Sequence, residues 1–173
     1  MTPERRLARA GFTLTREYPV AVQRVWDAFA DEQQKKAWFG ADDHFDAGEW
    51  VFDFRVGGRD VAEATFHNGP VSRFVGTYTD IVERSRIVTT YDMWIDGVHM
   101  STSVASFEFE PIDGPDGTDG TDGPDGTDGP GTLFTHTEHG VFFDQFWADG
   151  PNREAGSRGI LDKLGSFLLT SAA

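Results

Sequence analysis

The sequence predicts an α+β fold, a curved antiparallel sheet of about seven strands wrapped around one long C-terminal helix, with two short helices after the first strand. Three observations carry this. Period-two alternation recurs in six segments between residues 49 and 138, turn-forming residues separate them, and the last part of the chain holds one apolar stripe at helical spacing. A one-sided sheet and an amphipathic helix bury their apolar faces against each other, so the sheet closes on the helix.

Each element has its own signal. FTLTREY at 12–18 reads as a short strand. Pro19 opens a helix over 20–30, where Val22, Val25, Trp26 and Phe29 share a face, and Asp31 precedes a second helix at 32–39 that stops at Gly40. The alternating segments are 49–56, 60–67, 71–82, 86–94, 99–110 and 132–138. Between them Gly57-Gly58, Asn68-Gly69-Pro70 and Asp96-Gly97 supply positive backbone angles or the fixed angle of proline, so the strands pair as an antiparallel meander. Over 153–169, Ile160, Leu161, Leu164, Phe167 and Leu168 form the stripe of the terminal helix.

With 173 residues, the chain is expected to form a single domain over 1–173. Fifteen Phe, five Trp and three Tyr supply core material, which argues against disorder despite a net charge of -14. That charge repels phosphate backbones and anionic lipid, so no nucleic acid partner is expected. Zero cysteine removes disulfides, thiol nucleophiles and thiolate metal sites together. Without an apolar run of roughly 20 residues or a secretory leader pattern, no membrane insertion is expected and the chain reads as cytoplasmic.

One segment differs in composition. Residues 113–131 repeat Asp-Gly at every third position and hold six aspartates but no large apolar side chain, so they are expected to form a solvated low-complexity loop at the tip of the last hairpin. Six triplets with acid in place of proline do not sustain a collagen helix, and calcium-loop spacing is absent.

Alternation assigns faces. Trp50, Phe52, Phe54 and Val56 share one side of their strand; Ile87, Thr89, Tyr91 and Met93 share another; Ser101, Ser103, Ala105, Phe107 and Phe109 align; and Phe134 aligns with His136. Turned toward the terminal helix, they line an aromatic-rich space with a few hydroxyls and an imidazole, a mixture that suits a ligand pocket as well as a solid core. Gly156 and Gly159 cost helix stability of about 1 kcal/mol each relative to alanine, so they either keep that space open or permit close helix packing.

The order and spacing of several strings resemble the START-like superfamily, also called SRPBCC, and within it proteins similar to the C-terminal domain of the heat-shock ATPase activator. The strings are Pro19-Val20-Ala21 through Val25-Trp26-Asp27-Ala28-Phe29, then Phe52-Asp53-Phe54-Arg55-Val56-Gly57-Gly58-Arg59. Arg86-Ile87-Val88 with Tyr91, Thr132-Leu133 with Thr137-Glu138, and Arg153-Glu154-Ala155-Gly156-Ser157 with Leu161-Asp162-Lys163-Leu164 complete the set. The resemblance covers roughly 12–169 and implies a helix-grip fold with a deep cavity, frequently as a homodimer. Its scaffold hosts lipid carriers, polyketide cyclases, hydroxylase domains and co-chaperone domains. The absence of cysteine argues against the hydroxylase branch, and a first strand near residue 12 argues against the two-domain co-chaperone arrangement.

The leading reading is therefore binding of a small hydrophobic or aromatic ligand, without cofactor, metal or covalent chemistry. Candidate ligand-binding residues are Trp38, Phe52, Phe54, Tyr78, Tyr91, Met93, Phe107, Phe134, His136, Leu164 and Phe167. The alternatives are a polyketide cyclase or dehydratase in which His136, Tyr91 or Tyr78 transfers a proton, and a protein-interaction module. His136 and Glu138 share a strand face while His139 points elsewhere, so His-Thr-Glu-His is not a metal motif. Arg55 and Arg59 are expected to pair with Asp60 or Glu63, and Glu154 to complement the dipole of the terminal helix.

Overall fold

The computed structural model describes residues 5–113 and 130–170. Strand β1 (Leu7–Tyr18) leads into helices α1 (Val22–Ala30) and α2 (Glu32–Trp38). Strands β2 (Phe45–Phe52), β3 (Arg59–Phe66), β4 (Val71–Val82), β5 (Arg86–Ile95), β6 (Val98–Ile112) and β7 (Gly131–Phe143) follow, then a single 3₁₀ turn at Asp144–Phe146 and helix α3 (Gly150–Thr170). All seven strands form one antiparallel sheet in the order β1-β7-β6-β5-β4-β3-β2. This is the helix-grip architecture the sequence predicts.

Local chemistry explains the joints. Asp96 and Gly97 both adopt positive φ, 49° and 76°, in the two-residue turn that pairs Ile95 with Val98. Asp31 caps α2 by accepting from the Gln34 backbone N–H at 2.9 Å. Gly150 begins α3 where a Cβ would stand 2.6 Å from Cβ of Ala10, so only glycine lets the helix start sit directly on β1.

The bounds of four elements differ most from the sequence reading. The first long strand lies over Phe45–Phe52 rather than 49–56, because Asp53 to Gly58 turn on themselves: Arg55 N–H donates to Asp53 O, and Gly58 N–H to Arg55 O. Phe54 and Val56 therefore leave the alternation. The last strand continues to Phe143 and β1 begins at Leu7, since the two pair residue for residue from Leu7↔Phe143 to Tyr18↔Thr132. Terminal helix α3 begins at Gly150, three residues before the expected start at 153. The Asp-Gly repeat at 114–129 lies outside the described residues; on either side of it Ile112 pairs with Gly131.

The core occupies one half of the space between sheet and helices. Leu161, Leu164 and Leu168 of α3 and Val22, Val25, Trp26 and Phe29 of α1 pack with Leu14, Tyr18, Phe109 and Phe134. Phe29 meets Phe107, Phe109 and Phe134 at 5.3–5.5 Å between ring centroids, aromatic contacts worth about 0.5–1.5 kcal/mol each beyond area burial. The Tyr18 hydroxyl donates to Leu161 O at 2.9 Å and fixes the height of α3 over the sheet.

Gly156 and Gly159 of α3 are exposed, and a Cβ at either meets nothing within 4 Å. Close packing is therefore not their reason. Gly159→Ala is expected to stabilise the protein by up to about 1 kcal/mol, read as a raised urea midpoint with unchanged slope.

Candidate functional site

The inner face of the sheet continues past the core and is not filled. Between it, α2 and the first half of α3 lies a cavity of about 310 Å³. Most of its wall is aromatic or aliphatic: Phe29, Trp38, Phe39, Phe54, Phe74, Ile87, Met93, Met100, Ala105, Phe107, Ile160 and Leu161. Gly156 and Ile160 line it and are also exposed, so the cavity meets solvent beside α3.

Strand pairing brings the polar groups together. Asp60, Gly76, Tyr91 and Ser103 lie side by side across β3, β4, β5 and β6, and Thr89, Ala105 and Glu138 form the neighbouring row across β5, β6 and β7. From α3, Arg153 reaches down onto both rows. Its Nη1 donates to Tyr91 Oη at 2.6 Å, Glu138 Oε1 at 2.9 Å and Ser103 Oγ at 3.3 Å, and its Nη2 to Ser101 Oγ at 2.7 Å. Tyr91 in turn donates to Glu138 Oε1 at 2.7 Å. The Arg153 and Glu138 side chains are 10% and 5% exposed, so this is a buried ion pair with hydrogen bonds around it.

A second buried pair closes the other end. Lys35 of α2 donates from Nζ to Asp60 Oδ2 at 2.5 Å and to Tyr78 Oη at 3.1 Å, and Tyr78 also donates to Asp60 Oδ2 at 3.0 Å. The rings of Phe39, Phe52 and Tyr78 surround the ammonium at 5.4–5.6 Å. Asp60 Oδ1 is buried without a hydrogen-bond partner. Burial raises the phenols of both Tyr78 and Tyr91 above their ordinary range, the charges of Asp60 and Glu138 adding to it, while Arg153 opposes the shift at Tyr91. Both stay protonated donors at neutral pH.

His136 stacks on Phe107 at 4.6 Å and 10°, and meets the edge of Phe12. Its Nδ1 lies 3.2 Å from Ser106 O; a carbonyl only accepts, so the proton sits on Nδ1 and Nε2 keeps its lone pair. Burial lowers its pKa from the ordinary value, against the Ser106 bond and the Glu138 charge. Nε2 stands 3.9 Å from Glu138 Oε2, beyond a direct hydrogen bond. No cluster that could hold a metal ion occurs among the described residues.

Seven of the sequence-predicted residues line the cavity: Trp38, Phe54, Tyr78, Tyr91, Met93, Phe107 and His136. Four stand off its wall. Phe134 and Leu164 are fully buried in the core, Phe167 packs against that core under Arg24, and Phe52 stacks behind Phe54 at 5.8 Å. Sequence reasoning did not single out Lys35, Asp60, Glu138 or Arg153 as lining this space. It also paired Arg55 and Arg59 with Asp60 or Glu63, whereas Arg55 binds Asp53 and Glu63 pairs with Arg73, because Lys35 already occupies Asp60. The one available signal was Glu138 itself, an acid at the inward parity of β7 two residues beyond His136, which demands a buried cation.

A family model described as Activator of Hsp90 ATPase homolog 1-like protein matches residues 19–121. The crystal structure of the Mll3558 protein from Rhizobium loti is similar at 34% identity and a TM-score of 0.77, covering 94% of this chain and 99% of that one. A structure from Rhizobium leguminosarum shares 27% identity at a TM-score of 0.81, covering 97% and 99% of the two chains. Protein CV1439 from Chromobacterium violaceum shares the fold at 19% identity, with a TM-score of 0.68 and coverage of 91% and 96%. None of the curated proteins matches.

Removing one partner of the Arg153–Glu138 pair strands a buried charge. Arg153→Met is expected to cost about 3–5 kcal/mol in chemical denaturation, and Arg153→Met combined with Glu138→Gln less than the sum of the two single changes. Protonation of His136 gives the second expectation. Its folded pKa lies below its unfolded one, so no penalty exists above pH ~6.5, and stability falls as the unfolded chain takes up the proton first below that pH. His136→Phe should flatten the pH dependence of stability in the window just below pH ~6.5.

Proposed function

The chain belongs to the family of Activator of Hsp90 ATPase homolog 1-like proteins, and from that premise we propose that it holds a small hydrophobic or aromatic molecule in the cavity between sheet and α3. The observation that carries this is the cavity itself, about 310 Å³ bounded mainly by aromatic and aliphatic side chains with a few convergent polar groups. Ligand sites have that composition, and their volumes start at about 300 Å³. Gly156 adds support: a Cβ there would meet no atom within 4 Å, yet the helix carries glycine at the cavity mouth and forgoes about 1 kcal/mol of helix propensity.

A second reading uses the same space for proton transfer. A cyclase or dehydratase needs a neutral base facing an apolar chamber, and the lone pair of His136 Nε2 on the cavity wall favours it. The homodimer implied by the family and a cytoplasmic location belong to the same proposal, with sedimentation equilibrium at twice the chain mass as the expected result. The ATPase activation in the family's description concerns a protein partner, to which the cavity offers no argument.

The test places bulk at the mouth. Gly156→Leu should keep or raise the melting temperature, because the helix gains propensity and the position is exposed, while weakening binding of an apolar fluorescent probe by about ten-fold or more. Unchanged probe affinity in a folded variant would take the ligand out of this cavity.

A further inference from the structure

The polar groups on the cavity wall are unequal in what they have left to offer. Arg153 spends its guanidinium on Glu138, Tyr91, Ser101 and Ser103. Lys35 is committed to Asp60 and Tyr78 and ringed by aromatic faces. The phenols of Tyr78 and Tyr91 donate to Asp60 and Glu138. Every charged or phenolic donor on the wall is therefore engaged within the protein.

The acceptors are not. Among the described residues, Glu138 Oε2 and His136 Nε2 have no hydrogen-bond partner, although their side chains are only 5% and 7% exposed and both line the cavity. Asp60, on the same wall, keeps Oδ1 unpaired as well. The first two atoms are 3.9 Å apart, so a single donor oxygen or nitrogen can stand within hydrogen-bond distance of both, a hydroxyl giving its one proton to either acceptor. Thr89 and Ser157 add neutral hydroxyls that serve either way. Charge points in the same direction, because Lys35 balances Asp60 and Arg153 balances Glu138, leaving no cation for an incoming anion.

We propose that the cavity selects an uncharged aromatic molecule carrying a hydroxyl or other hydrogen-bond donor, seated between His136 Nε2 and Glu138 Oε2, and discriminates against carboxylates, fatty acids included. This rests on the reading of the cavity as a ligand site and narrows it. An apolar ligand without a donor leaves both acceptors unpaired in a dry space. A carboxylate adds an unpaired charge beside two acids whose cations are already taken.

The experiment compares three molecules of one shape, 2-naphthol, naphthalene and 2-naphthoate, by calorimetric titration of the full chain at pH 7.5. The expected order places 2-naphthol about ten-fold or more tighter than naphthalene, with 2-naphthoate weakest. His136→Phe, which keeps a ring stacked on Phe107 but removes one of the two acceptors, should lower the ratio of 2-naphthol to naphthalene affinity, with Glu138 Oε2 left as the remaining acceptor. The three-ligand series decides the matter on the unaltered protein even where that variant does not fold. Equal binding of naphthol and naphthalene, or naphthoate binding as tightly as naphthol, overturns the donor selection while leaving the cavity reading intact. Binding of none of the three overturns both.

Discussion

The cavity and the site on its wall depend on α3 being anchored at both ends and unsupported between them. At its start, Gly150 seats the backbone on Ala10 and Arg153 inserts into a ring of acceptors from β5, β6 and β7. Further along, the Tyr18 hydroxyl binds Leu161 O, Lys163 pairs with Asp42, and Leu164 and Leu168 sink into the core. Between those anchors come Gly156, Ser157 and Ile160, which do not fill the concavity of the sheet. A helix held this way cannot collapse onto the sheet without breaking the Arg153–Glu138 pair or the leucine packing. The cavity is thus a consequence of the anchoring rather than a defect in packing.

The two buried ion pairs, Lys35–Asp60 and Arg153–Glu138, are a costly arrangement. Desolvating four charges consumes much of what the pairs return, and well-packed apolar side chains serve stability as well or better. Neither pair sits in the middle of the core. Both lie on the cavity wall, and each acid keeps one carboxylate oxygen without a partner. That placement separates the two halves of the interior: a dry aromatic core under α1, and a polar-studded chamber under α2 and the first half of α3 whose ion pairs tie those helices to the sheet.

The architecture was legible because it rests on short-range patterns. Alternation placed Ser101, Ser103, Ala105, Phe107 and Phe109 on one face, and Asp96-Gly97 announced its turn. Where a turn overrode the pattern, at Asp53 to Gly58, the alternation misled by extending a strand through Phe54 and Val56. Seven of the eleven candidate ligand contacts lie on the cavity wall, and for five of them, Tyr78, Tyr91, Met93, Phe107 and His136, the inward parity of a strand is visible in sequence. Depth along the helix is not. Leu164 and Phe167 lie on the same stripe as Leu161, yet only Leu161 reaches the chamber, because the boundary between core and cavity is set by where α1 packs. The ion pairs were illegible for a similar reason. Lys35 lies 25 residues from Asp60 and Arg153 lies 15 from Glu138, and no periodicity links residues brought together only by sheet register and helix docking.

The central claim is that an accessible apolar void persists under the first half of α3. Diffraction from a crystal held under xenon pressure tests it directly, since xenon enters apolar cavities and leaves filled cores untouched. The account requires xenon density between Met93, Phe107 and Ile160 with no displacement of α3. A crystal that takes up no xenon there, with side chains of the sheet in contact with Gly156, would contradict it.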